Sequence, residues 1–121
     1  MFLVTINLPK QILYFMFGGH VTVAQLRDGQ KEVLAMLENI KPGFRTVTDL
    51  SQLQSIEPEC AQVIGEVMEV CDKHGVETVV RIVPNPAQDI GLNILTLFHY
   101  HRHPRVVICN RIEEASRALG I

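Results

Sequence analysis

Cysteine is scarce in this chain, with three in 121 residues, and Cys60, Cys71 and Cys109 are odd in number and share no metal-type spacing. That excludes a disulfide scaffold and points to reduced thiols in a cytoplasm, with Cys71 and Cys109 as small core residues. Long apolar runs are missing too. None reaches the roughly 18 residues that span a bilayer, so a soluble protein with no membrane span is expected. The apolar opening MFLVTINLPKQILYFMF is divided by Asn7, Pro9, Lys10 and Gln11, and no basic region precedes it, so it reads as part of the fold and not as a secretory signal. Neither sign of charge dominates: 11 Lys and Arg against 13 Asp and Glu leave a formal −2, and no basic face offers itself to nucleic acid. There is no Gly-rich phosphate loop, no Gly-x-Ser-x-Gly and no His-Glu-x-x-His. Gly18-Gly19 stands between a strand and a helix, but two glycines are too few for a nucleotide site. The expectation is therefore a single domain over residues 1–121 that is no enzyme, with no catalytic residue, no cofactor and no metal.

Alternating and continuous apolar stretches make up what is there. Phe2 to Leu8 alternates and Ile12 to Phe17 is continuous, which predicts a hairpin turning at Pro9-Lys10, with Gly18-Gly19-His20 breaking the second strand. Thr22-Val23-Ala24-Gln25 fits a capping box. The helix it opens runs to about Ile40, with Leu26, Val33, Leu34, Leu37 and Ile40 at three- and four-residue steps; Gly29 weakens it by roughly 1 kcal/mol relative to alanine. Lys41-Pro42-Gly43 ends it. Phe44 to Leu50 reads as a third strand, Ser51 to Glu57 as a polar loop, and Pro58 as the first turn of a second helix that stops at Gly75. Ala61, Ile64, Val67, Met68 and Cys71 form that helix's buried stripe, and Glu69 and Lys73 are spaced for a weak ion pair. Thr78 to Val83 is a β-branched central strand, Pro84-Asn85-Pro86 a turn, Asp89 to about His101 a helix, Arg105 to Cys109 a strand and Arg111 to Leu119 a last helix. This order implies an α/β fold: a mixed, mostly parallel sheet of about five strands, the first antiparallel, with about four helices.

The stretch from Thr48 to Cys60 carries the most functional information. It places acidic groups where a strand gives way to a helix, and the N-terminus of that helix offers partly positive N–H groups. The order of elements, the Asp49-Leu50-Ser51 strand end and the Ile56-Glu57 approach to a helix resemble the STAS domain, the fold shared by sulfate transporter cytoplasmic tails and anti-sigma factor antagonists. The resemblance covers nearly the whole chain and implies a single-domain STAS-like (SpoIIAA-like) fold. In that family an acidic residue precedes the helix, a serine follows, and a partner kinase phosphorylates the next serine or threonine; these match Glu57, Pro58 and Glu59 here. The phosphoacceptor is thus replaced by a carboxylate, which supplies a smaller charge at nearly the same place. What the resemblance implies is a cytoplasmic signalling module of bacterial type, related to anti-sigma factor antagonists, which acts by protein contact. Its partner would be a regulatory protein, an anti-sigma factor or a kinase-like one. Asp49 and Ser51 would brace the junction, Pro58 would set the start of the helix, and Glu57 and Glu59 would present charge, with Ser55 and Cys60 on the same partner-binding edge. Ser51 and Ser55 remain open as substitute phosphoacceptors, and Glu59 can equally be an ordinary acidic residue at a helix start.

Three further readings compete. A thiol at a helix N-terminus can become a reactive thiolate, which would make Cys60 a redox sensor, although Glu57 and Glu59 oppose a second negative charge. His99 and His103 stand at i, i+4 and invite a metal, but Arg102 and the helix-ending Pro104 favour a solvated cationic helix end. Ile90, Leu92, Ile94, Leu95, Leu97, Phe98 and Tyr100 exceed one helical stripe. Such a helix is buried on two sides, or turns a spare face to a small ligand, a lipid or a second copy in a homodimer.

Overall fold

A computed structural model describes residues 1–85, 87, 91, 95–96 and 99–121. Its elements are β1 (Phe2–Asn7), β2 (Ile12–Val21), α1 (Val23–Leu37), β3 (Arg45–Ile56), α2 (Cys60–His74), β4 (Thr78–Ile82), β5 (Arg105–Cys109) and α3 (Ile112–Leu119). The sheet order is β1-β2-β3-β4-β5; β1 pairs antiparallel with β2, and every later pair is parallel. This is the mixed, mostly parallel five-stranded sheet expected, with three helices among the described residues. The helix expected over residues 89–101 lies largely outside them.

Two parallel crossovers run in the same direction along the sheet, so their helices α1 and α2 cover one face. That face holds the larger core, including Phe15, Phe17, Leu26, Val63 and Val79. The other face holds Ile12, Val47, Val80 and Ile82 beneath Ala115 and Leu119 of α3. In α1 both halves of the Thr22–Gln25 capping box form. Leu26, Val33 and Leu37 are buried as the spacing predicts, while Leu34 is exposed. Gly29 is buried as well, against the ring of Phe2. α2 ends at Gly75, whose φ of 93° is the left-handed conformation that glycine adopts without strain.

Two boundaries move. Gly18-Gly19-His20 does not break β2, and Ser51 to Glu57 is no loop. β2 continues to Val21 and β3 to Ile56, paired with each other past the end of the five-stranded region, since β4 pairs with β3 only as far as Asp49↔Ile82. The register slips between Met16 and Gly18 and again between Gly19 and His20, where Gly19 takes a φ of 60°. Polar residues at 51, 52, 54 and 55 read as a loop because their outward side chains are exposed. What makes them a strand is backbone pairing supplied by β2.

Candidate functional site

The extended β2–β3 ribbon brings two helix starts together. Val21 leads into α1 and Ile56 leads into α2, and these two strand ends are register partners. The Val21 carbonyl accepts the Glu57 backbone N–H at 3.0 Å and the Cys60 thiol at 3.8 Å. Glu57 then turns its carboxylate to the other helix, where Oε1 accepts the Val23 N–H at 2.7 Å. A carboxylate is favoured there because the first N–H groups of a helix have no partner within it. Glu57 was expected to present charge outward; instead it is half-buried and caps α1. Replacing it by alanine should cost about 1 kcal/mol of stability, the usual value of a cap, measured by urea unfolding.

Pro58 and Glu59 form a turn just ahead of α2, which starts at Cys60, so Pro58 stands one step before the first turn in which it was expected. The turn is closed by the Cys60 N–H on the Glu57 carbonyl at 3.0 Å and the Ala61 N–H on that of Pro58 at 3.2 Å. Glu59 is exposed and occupies the N-cap position with helical dihedrals, φ −66° and ψ −16°, and its side chain makes no capping bond. An acidic residue with extended dihedrals would fold back onto the helix N–H groups; this backbone conformation leaves the carboxylate in solvent.

Asp49 lies deeper, buried on the α3 face. Its Oδ2 accepts the Tyr14 hydroxyl at 2.6 Å and its Oδ1 the Ser51 N–H at 2.9 Å. Burial alone would raise this carboxyl, but the hydrogen bonds from Ser51 and Tyr14 outweigh it and hold it below the usual range. Burial, with Asp49 beside it, pushes the Tyr14 phenol far above its ordinary value, so it stays a donor. Ser51 is exposed, and exposed Ser55 places Oγ 2.6 Å from His20 Nδ1 across the ribbon.

No family model matches the sequence, and no curated protein does. Solved structures do match. An uncharacterised DUF3478-family protein with a SpoIIAA-like fold, from Shewanella loihica PV-4, superposes with a TM-score of 0.74 at 12% identity, covering 98% of this chain and 92% of that one. The anti-sigma factor antagonist SpoIIAA in its unphosphorylated form gives 0.64 at 11% identity with both chains fully covered. The phosphorylated form of the Bacillus cell fate determinant SpoIIAA gives 0.66 at 7%, covering 98% and 99%. The chain has a SpoIIAA-like fold. At these identities the likeness is one of architecture, and it agrees with the STAS-like order of elements read from the sequence.

Within this SpoIIAA-like fold Cys60 is fully buried, and burial, with Glu57 next, raises its thiol pKa. That corrects the expectation that Cys60 is part of an exposed edge, and the raised pKa goes with the opposition of Glu57 and Glu59 to a reactive thiolate there. Cys71 is buried and pushed up to about 12, and Cys109 is buried as well. The α2 stripe turns accordingly, with Cys60, Val63, Met68 and Cys71 inward, Ile64 and Val67 partly covered, and Ala61 exposed. Glu69 pairs with His99 Nδ1 at 2.8 Å instead of with Lys73, and the His99 ring rests on Gly65. His103 adopts a left-handed φ of 51°, out of helical register with His99.

The sequence suggests a ligand groove along Ile90 to Tyr100; the groove found shares Leu95 with it, while its β3–α2 walls and a buried Arg81 were not foreseen. An apolar groove of about 390 Å³ opens beside the β3–α2 junction, its walls including Leu50, Leu53, Ile56, Pro58, Ala61, Ile64 and Leu95. Phe17 and Ile64 separate it from a smaller inner cavity of about 50 Å³, lined by Phe2, Phe15, Tyr100 and the fully buried Arg81. Arg81 Nη1 donates to Thr96 Oγ1 at 2.9 Å. A lone cation inside the β-branched run Thr78 to Val83 was the signal for Arg81, whereas walls drawn from β2, β3, α2 and the segment holding Gly91 and Leu95 leave no local one.

No helix among the described residues is long and apolar enough to cross a membrane.

Proposed function

We propose that this chain is a non-enzymatic regulatory module whose partner-binding edge is the β3–α2 junction, with Glu59 supplying a permanent negative charge where related modules gain one by phosphorylation. The observation that carries this reading is the exposed Glu59 carboxylate in the turn that opens α2, uncapped while neighbouring Glu57 is spent on α1. Ser51, Ser55 and Pro58 share the exposed edge, and Asp49 braces it from beneath. The likeness to SpoIIAA, which is described in both phosphorylated and unphosphorylated forms, supports the reading. A phosphate adds about −1.5 to −2 charge and a carboxylate −1, both favoured near a helix N-terminus. The partner is a regulatory protein of the anti-sigma or kinase-like kind that meets a cytoplasmic single-domain protein. Affinity capture with wild type, Glu59→Ser and Glu59→Lys tests this: the lysine variant should lose the partner and the serine variant should hold it more weakly. Equal capture by all three removes the role of Glu59.

The apolar groove and inner cavity favour a second reading, a small apolar ligand or lipid carried by the same fold. Native mass spectrometry of the purified chain should then show an added mass that organic extraction removes.

A further inference from the structure

We propose that the groove beside α2 is an anchor pocket for a partner protein segment bearing a large apolar side chain flanked by arginine or lysine. This rests on the reading of the β3–α2 junction as a partner-binding edge and adds what the partner must bring. The groove's described walls are almost wholly apolar, and one exposed carboxylate, Glu59, stands beside them in the chain. Glu57 lines the groove with its carboxylate turned to the Val23 N–H of α1, so the free charge is that of Glu59, which lies in the chain between lining residues Pro58 and Cys60, and no lysine, arginine or histidine occurs among the described lining residues. The start of α2 contributes roughly half a positive charge, which the full negative charge of Glu59 exceeds. Electrostatics at the rim therefore select against an anionic amphiphile such as a fatty acid and for a cation-flanked anchor. At about 390 Å³ the groove is near the small end of ligand sites, a size suited to a few interface side chains. Apolar burial would supply affinity, and the rim would choose the sequence around the anchor.

The test uses the full chain and three short capped peptides: one with paired leucines flanked by arginines, a twin with glutamates for the arginines, and one with serines for the leucines. Amide NMR titration should show saturable shifts at Leu53, Ala61 and Ile64 with the first peptide. Binding should be about fivefold weaker for the glutamate twin, in keeping with a rim charge effect near 1 kcal/mol, and unsaturable for the serine peptide. Ala61→Trp, at an exposed position on the groove wall, should abolish binding without lowering the melting temperature, and Glu59→Lys should cancel the preference for arginine. Absence of saturable binding, equal or tighter binding of the glutamate twin, or binding indifferent to Ala61→Trp overturns the anchor pocket. Natural partner capture separates this from the parent reading. Capture lost in Glu59→Lys but intact in Ala61→Trp keeps the edge and discards the pocket, and capture unchanged in Glu59→Lys discards the edge itself.

Discussion

Asp49→Ala is expected to lower folding stability by about 2–3 kcal/mol near neutral pH, as read from urea unfolding midpoints. It removes the acceptor of two charge-assisted hydrogen bonds, from the Tyr14 hydroxyl at 2.6 Å and the Ser51 N–H at 2.9 Å. Each such bond contributes about 1.5–3 kcal/mol, and the desolvation of a buried carboxylate offsets part of the sum. The sign of the pH dependence follows from the lowered folded-state pKa. The stabilisation is present above the unfolded carboxyl value of about 3.9 and is lost as pH falls from there through the folded value. Asp49→Asn should therefore show a shallower acid limb than wild type while keeping part of the hydrogen bonding. The same residue ties β2 to β3 where β4 ceases to pair, so losing it should also raise amide exchange along Ser51–Ile56, the strand that leads to Glu59. An Asp49→Ala chain as stable as wild type, with unchanged exchange there, would show the brace to be without consequence.

Gly29→Ala is expected to destabilise the protein by about 1–3 kcal/mol, against the local trend. In an isolated helix the change gains about 1 kcal/mol. Here the added Cβ would stand 2.2 Å from Cδ2 of the Phe2 ring, which stacks on Phe15 and contacts Phe17, so helix or strand must shift, at the usual cost of overpacking. Phe2→Leu should make room, and a double-mutant cycle between the two positions should return a coupling of about 1 kcal/mol or more. A stabilised Gly29→Ala variant would mean that the ring moves aside without cost.

How legible a feature was depended on how local its causes are. The capping box at Thr22 and Gln25, the Gly75 stop and the Arg105–Cys109 strand were all readable, because a few neighbouring residues decide each. Glu59 was likewise correctly placed at a helix start. Glu57 was not assigned to the right helix: its carboxylate serves a backbone N–H 34 positions earlier, and nothing near it marks that choice. Ala61 and Cys60 exchanged roles because a shift of one residue turns a helical face by about 100°. Gly29 read as a weak spot in α1, and its use appears only when β1 lays Phe2 across it.

From residue order alone came the fold class, the antiparallel hairpin followed by parallel strands, and the acidic turn before α2, since periodicity, caps and turn residues act over a few positions. Tertiary structure decided that β2 and β3 run on as a ribbon, that Glu57 and Cys60 turn inward while Glu59 stays in solvent, and that an apolar groove lies beside it. Those outcomes rest on partners such as Tyr14 for Asp49, Val23 for Glu57 and Val21 for Cys60, which are 35, 34 and 39 positions apart in sequence. Backbone groups brought that close by folding must pair with one another, and the pairing, more than side-chain character, sets where a strand ends and which carboxylate remains exposed.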